Sequence, residues 1–445
     1  MNEKTVSKVP ALPNIPADPA TPAQRRIISA GTIGTLVEYY DFGIYGYLAT
    51  TLAKVFFSNE NPTTGLLSSL IVFAVAFFMR PIGGVLFGHI GDRLGRKHAL
   101  ALTILGMCAA TTLIGVLPGY AAIGVAAPVL LLIARLVQGL CAGGEIGGAS
   151  AYIAESSSNR RRGLATSMTE LGSMLGLILA SLVVALLTWL VPTDQFVSWG
   201  WRIPFLISLP LGAVGLYIRS KLEDSTDFRR LESAEQVISS PIAAVVRRHL
   251  PAVLKVIGIN VLAAPGYYLA FVYSSIYLQK QGGYSTSAAT WMTTISLAVA
   301  TAVIPVAAAI SDRRGRKPVL MTGCVGFLVL GYPAFLLMQQ HSMPVALLGQ
   351  LLLAASEAVI MGALMATLVE LFPATVRYTG IALGFNVAQS LFGGTAPYAA
   401  TWAIGATGSA FAPAWIVMVL SLVGIGTVWG LRETAGQPLE LSEAR

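Results

Sequence analysis

Seven ionisable side chains of this 445-residue chain stand inside long apolar stretches: Glu38, Asp41, Arg80, Arg135, Glu145, Glu170 and Glu357. An acid or base at the centre of a bilayer costs about 2.5–3.5 kcal/mol even on lenient insertion scales. The acids and arginines of the first half would together cost on the order of 15–20 kcal/mol unpaired, so they must pair or line a wet cavity. Two chemistries are open to them. Acids poised between desolvation and a neighbouring guanidinium can bind and release protons near working pH. That makes Glu38, Asp41, Glu145, Glu170 and Glu357 the candidates for proton coupling. A guanidinium is always charged and presents a planar fork to a carboxylate. Arg135, with Arg80 and Gln138, is therefore the candidate clamp for an anionic solute. An inert salt-bridge network holding the fold together is the competing structural reading.

The elements that carry these residues read as membrane spans. The chain is 55% hydrophobic and only 11% charged, whereas a soluble protein is about 25% charged. Runs long enough to cross a bilayer, about 20 residues, recur at 28–55, 66–90, 98–117, 124–154, 163–191 and 199–218. They resume at 252–278, 287–310, 318–338, 343–371, 377–402 and 411–431. The expected fold is all-α and polytopic, with twelve transmembrane helices in two pseudo-symmetric six-helix halves. The expected units are a Pro-rich tail over 1–26, bundles over 27–218 and 250–431, a central loop over 219–249 and a tail over 432–445.

Charge sets the orientation. The net charge of +8 gathers in alternate loops, among them Arg93 to Lys97, Arg160 to Arg162 and Arg313 to Lys317. Such asymmetry follows the positive-inside rule and places both termini and the central loop in the cytoplasm. It also argues against a nucleic-acid surface. Cys108, Cys141 and Cys324 show neither metal-ligand spacing nor a disulfide framework. No H-E-x-x-H, G-x-S-x-G or phosphate-loop pattern occurs, so nothing points to an enzyme, a metal or a cofactor.

One short cationic turn occurs twice. Gly91-Asp92-Arg93-Leu94-Gly95-Arg96-Lys97 returns as Ser311-Asp312-Arg313-Arg314-Gly315-Arg316-Lys317, with the aspartates 220 positions apart. Glu155 precedes Arg162 by seven residues and Glu370 precedes Arg377 by seven, the two pairs being 215 positions apart. Matching anchors in both halves mean an internal duplication, a common architecture of secondary transporters. The repeat also serves as a control. A shift of 215 takes Arg135 to Gln350, Glu145 to Ile360 and Glu170 to Phe385, so the scaffold does not require those charges. In the seventh span, Asn260, Tyr267 and Tyr273 flank Pro265-Gly266, expected to break the helix beside a cavity. Tyr277 and Trp199-Gly200-Trp201 read as outer interfacial anchors.

These residues together resemble the major facilitator superfamily over essentially the whole chain. More narrowly, Glu38-Tyr39-Tyr40-Asp41-Phe42, Arg80-Pro81-Ile82-Gly83-Gly84, Gln138-Gly139 with Gly143-Gly144-Glu145, and Trp199 through Phe205 look like the metabolite:proton symporter group. The resemblance implies solute uptake with protons across the inner membrane, driven by the proton gradient, by a protein expected to act as a monomer. It also implies that the cationic turns latch one face shut. The latch residues would be Asp92, Arg93, Arg96, Lys97 and Glu155, with Asp312, Arg313, Arg316, Glu370 and Arg377 in the second copy. Ser311 in place of glycine suggests a weaker second latch. The expected solute is a small organic acid; a zwitterion such as proline or betaine is the alternative, and proton-driven efflux a further one.

Overall fold

A computed structural model describes residues 22–57, 61–94, 96–143, 150–151, 153–154, 157–220, 245, 247–373 and 376–439. The described residues hold helices and no strands. The first half contributes α1 (Pro22–Tyr47), α2 (Pro62–Leu94), α3 (Arg96–Val116), α4 (Ala126–Ala142), α5 (Arg162–Leu190) and α6 (Arg202–Ser220). The second contributes α7 (Leu250–Tyr268), α8 (Thr286–Arg314), α9 (Arg316–Met338), α10 (Met343–Glu370), α11 (Arg377–Ala388) and α12 (Ala412–Trp429). Among the described residues, seven helices are long and apolar enough to cross a membrane by themselves. The expected spans fall on these twelve helices. Residues 1–21 and 221–244, which hold the Pro-rich tail and most of the central loop, lie outside the described residues.

Helix ends follow local chemistry. Pro251, Pro344, Pro397 and Pro413 open helices at their first turn, where a missing N–H costs nothing. Ser285 caps α8 by accepting from the Ala288 N–H at 3.2 Å. Gly315 separates α8 from α9 at φ 110°, a conformation that side chains rarely adopt. Pro265 does not break α7, contrary to expectation. The helix runs through it and widens further on into a π-helical turn, Leu269–Tyr273, before continuing as Ser274–Lys280. The eleventh span has the same design, with a π-helical turn at Gln389–Gly393 before Ala396–Thr407. Such wide turns cluster at functional sites.

Two aromatic expectations are corrected. Tyr277 is wholly buried and donates to the Ala410 carbonyl at 2.9 Å, so it belongs to the interior. Trp201 is buried against Phe56 and Phe205 with ring centroids 5.3 and 6.0 Å away, while Trp199 is exposed. Trp199 lies in a π-helical turn, Phe196–Gly200, and Trp201 just beyond it, a local geometry that the tripeptide alone does not reveal.

Close crossing of α2 and α4 fixes the first half. A β-carbon on Gly139 would lie 1.9 Å from the Ala76 carbonyl oxygen, and one on Gly143 would lie 1.9 Å from that of Arg80. Small residues let helix backbones approach in a membrane, where hydrophobicity does not separate helix from lipid. Gly139→Ala is expected to force the helices apart and lower the apparent unfolding temperature of the purified protein, at a cost of about 1–3 kcal/mol. Gly405→Ala, at a position with open space around it, is the control and should leave that temperature unchanged. Equal melting of the two variants would contradict the tight crossing.

Candidate functional site

Arg80, Arg135 and Asp41 find their partners within the first half. Arg80 pairs with Glu38 at 2.7 Å, both buried, and lies 5.6 and 5.8 Å from the rings of Phe42 and Phe77. Arg135 donates to Gln138 Oε1 at 2.9 Å and to the Phe73 carbonyl at 3.1 Å. Its guanidinium also sits over Phe42, Tyr45 and Phe73, at 5.0, 4.4 and 5.3 Å. Gln138 donates to Thr111, and Thr111 donates to Asp41 at 2.7 Å. Ser208 donates to the other oxygen of Asp41. The chain Arg135–Gln138–Thr111–Asp41–Ser208 therefore ties α4, α3, α1 and α6 together. Arg135 does not line the cavity described next.

That cavity lies between the halves. Tyr39 and Glu170 line it from α1 and α5; Asn260, Ala263 and Tyr267 from α7; Glu357, Met361 and Leu364 from α10; Phe385 and Gln389 from the eleventh span. Of the expected site residues it gathers Glu170, Glu357, Asn260 and Tyr267. Tyr273 packs instead against Tyr277, with centroids 6.3 Å apart. Tyr39 and Tyr267 meet edge to face at 5.7 Å. Glu170 has Ser173 Oγ at 3.5 Å from one oxygen. Asn260 uses its amide N–H to reach the Val256 carbonyl at 2.8 Å, which leaves Oδ1 bare. Glu357 Oε2 and Gln389 Oε1 are likewise buried without a hydrogen-bond partner. Among the described residues, no arginine, lysine or histidine lines the cavity. Tyr39, Phe385 and Gln389 were not expected; only an aromatic or amide on an otherwise apolar helix face signals them.

The second cationic turn closes one face. Asp312, at the end of α8, accepts from the Gly163 and Leu164 N–H groups at 2.8 and 2.9 Å, so a carboxylate of one half caps α5 of the other. Glu370 binds Arg162 at 2.8 Å and Arg316 at 3.1 Å. Arg316 also reaches Asp312 at 2.7 Å and Ser311 Oγ at 3.1 Å. Ser311 thus adds an acceptor, contrary to the expected weakening. Arg377 donates to the Val369 and Phe372 carbonyls at 3.2 Å, fastening the end of α10, and Arg313 is exposed. Glu145 and Glu155 lie outside the described residues, as do the side chains of Asp92, Arg93, Arg96 and Lys97.

The segment after α12 joins this closure. Glu433 accepts from the N–H groups of Arg316 and Lys317 at 2.8 and 3.1 Å, and Thr434 donates to Glu370. The Gln437 carbonyl accepts from Arg162 at 3.3 and 3.2 Å. Burial would raise the Glu433 carboxyl, but the backbone N–H groups of Arg316, Ala435, Lys317 and Thr434 outweigh it and hold it below the ordinary range. Toward the other face, Tyr47 donates to the Phe271 carbonyl at 2.9 Å, Thr50 to Gln279 at 3.1 Å and Thr294 to Ser181 at 3.0 Å. Contacts between the halves therefore stand on both sides of the cavity.

Residues 31–397 and 256–445 match the family model of the Major Facilitator Superfamily. The chain belongs to that superfamily. It is accordingly a membrane transporter and not an enzyme. The chain is 36% identical over 438 residues to the glycine betaine/proline/ectoine/pipecolic acid transporter of Dickeya dadantii, covering 95% of this chain and 87% of that protein. It is also 36% identical over 428 residues to the proline/betaine transporter of Escherichia coli K12, covering 94% and 85%. Among solved structures, a D-xylose-proton symporter superposes with a TM-score of 0.74 at 21% identity, covering 93% of this chain and 99% of that one. This last likeness is one of fold.

Two outcomes follow from the closed face. Asp312→Asn removes the charge that caps α5, an interaction worth about 0.3–2 kcal/mol, and should shift the population toward opening at that face. Spin labels at Arg160→Cys and Arg314→Cys, both exposed, should report a longer distance; an unchanged distribution would contradict the latch. Glu433, with its folded carboxyl depressed, stabilises the docked segment fully above the unfolded glutamate value of about 4.3. That contribution is lost as pH falls through the lower folded value. A spin label at Pro438→Cys should therefore be immobile at pH 7 and gain mobility only below the ordinary glutamate range, while Glu433→Gln should free it at pH 7.

Proposed function

We propose that this transporter is a proton-coupled symporter that imports a small zwitterionic solute, of the proline or betaine kind, across the cytoplasmic membrane by alternating access. The observation that carries this reading is the acceptor-rich cavity, with Glu170, Glu357 and the bare oxygen of Asn260 and no basic side chain among its described lining. Such a site suits a solute that presents a cationic nitrogen. The rings of Tyr39, Tyr267 and Phe385 add faces for a cation. Hydroxyls of Tyr39 and Tyr267 offer donors to a solute carboxylate. An organic acid fits less well, since Arg80 and Arg135 are engaged with Glu38, Gln138 and aromatic rings. The names of the relatives support the zwitterion too.

In this reading the turns and the segment after α12 face the cytoplasm, as the basic loops require. The two bundles rock about the cavity, and the latch contacts exist in only one of the two end states. A contact can bias an equilibrium only if it differs between states.

The test is uptake into proteoliposomes of proline, glycine betaine, α-ketoglutarate, citrate and shikimate. An outside-acid pH gradient alone should concentrate proline or betaine, and a protonophore should abolish the gain. Concentration of a di- or tricarboxylate in their place would restore the organic-acid reading. Dependence on sodium, or export of the solute against entering protons, would overturn symport.

A further inference from the structure

Glu170 and Glu357 reach the cavity from opposite halves, and their surroundings differ. Glu170 has the Ser173 hydroxyl beside it on its own helix. Facing it are Tyr39 from α1, Tyr267 and Tyr268 from α7, and Glu357 from α10. Glu357 is 1% exposed, and its Oε2 has no donor. Asn260 Oδ1 and Gln389 Oε1 share that condition and that cavity. Three elements of the second half thus present bare acceptors to one small space. Leaving a buried acceptor unmet costs about 1–3 kcal/mol, so the site is built for something that supplies positive charge or N–H.

The backbone makes room for the Glu357 carboxylate. A β-carbon on Gly266 would lie 2.6 Å from Glu357 Oε2, so that oxygen rests on the bare α7 backbone. The rings of Tyr39 and Tyr267 close around the same space, with centroids 5.7 Å apart. The duplicated scaffold has no use for this acid, since a shift of 215 positions takes Glu357 back to Ala142.

We infer that Glu357 receives the cationic nitrogen of the solute, with Asn260 and Gln389 beside it, while Glu170 carries the co-transported proton. This division of labour rests on the zwitterion reading. It matches one positive charge to each acid, which a site without lysine or arginine requires if both halves are to close over it. A secondary ammonium such as that of proline donates two N–H groups to the bare oxygens. A quaternary ammonium instead uses the carboxylate and the ring faces.

The test compares wild type, Glu357→Gln, Glu357→Asp and Glu170→Gln. Equilibrium binding of labelled proline and betaine is measured from pH 6 to 8.5, with counterflow exchange in proteoliposomes beside it. Glu357→Gln should lose at least about 30-fold in affinity at every pH, the scale of removing one partner from a buried charge pair. Glu357→Asp, which keeps the charge, should fold and lose less. Glu170→Gln should lose the pH dependence of binding, keep counterflow and fail to accumulate solute under a pH gradient. Wild-type affinity in Glu357→Gln would overturn the inference alone, as would counterflow kept by Glu357→Gln and lost by Glu170→Gln. Failure of the wild type to bind either zwitterion would remove the function reading and the inference together.

Discussion

Glu370 holds two arginines that belong to different halves, Arg162 at 2.8 Å and Arg316 at 3.1 Å. All three are nearly dry, and a buried ion left without its partner is far more costly than the pair is favourable. The halves therefore cannot part at this face by stretching the contact. They must exchange it for water or for another partner, which gives closure an all-or-none character. Asp312 strengthens the constraint, since its carboxylate serves both the α5 N-terminus and Arg316. The segment after α12 extends it through Thr434 and the Gln437 carbonyl.

The same rule of matched charge divides the interior into scaffold and site. In the first half Arg80, Arg135 and Asp41 are engaged locally. Arg80 has Glu38, and Arg135 has Gln138, the Phe73 carbonyl and three rings. Asp41 has two hydroxyls. Groups so occupied can hold helices in register, but they have little left for a passing solute. Asn260, Glu357 and Gln389 each keep a buried oxygen without a hydrogen-bond partner, and all three line the cavity. The gathering of these unmet acceptors in one cavity between the halves is what separates the site from the scaffold.

Much of the fold could be read from the chain alone. The apolar runs located the spans, and the twin cationic turns revealed the duplication, because both signals are local in sequence. Glu170 and Glu357 were recognised as costly acids for the same reason. Their meeting in one cavity was not visible, since it depends on how α5 packs against α10 across the halves. Arg135 misled for a related cause. The rings that cage it come from Phe42, Tyr45 and Phe73, on two other helices, and no spacing rule connects them to α4. Ser311 misled differently. Read against a glycine pattern it is a loss, yet in place it accepts from Arg316.

The halves are held together on the two sides of the cavity by different physics. The face with the cationic turns is shut by ions and by a carboxylate at a helix end. The other is shut by neutral contacts, such as the Tyr47 hydroxyl on the Phe271 carbonyl and Gly46 packed against Val272. Neutral hydrogen bonds are worth about 0.5–1.5 kcal/mol net and respond little to salt, whereas the strength of an ion pair depends on how far water and salt reach it. A transporter that must cycle needs the two closures nearly balanced. The ion pairs here are nearly dry, so salt screens them little, and the balance rests on which contacts each face exchanges as the halves move.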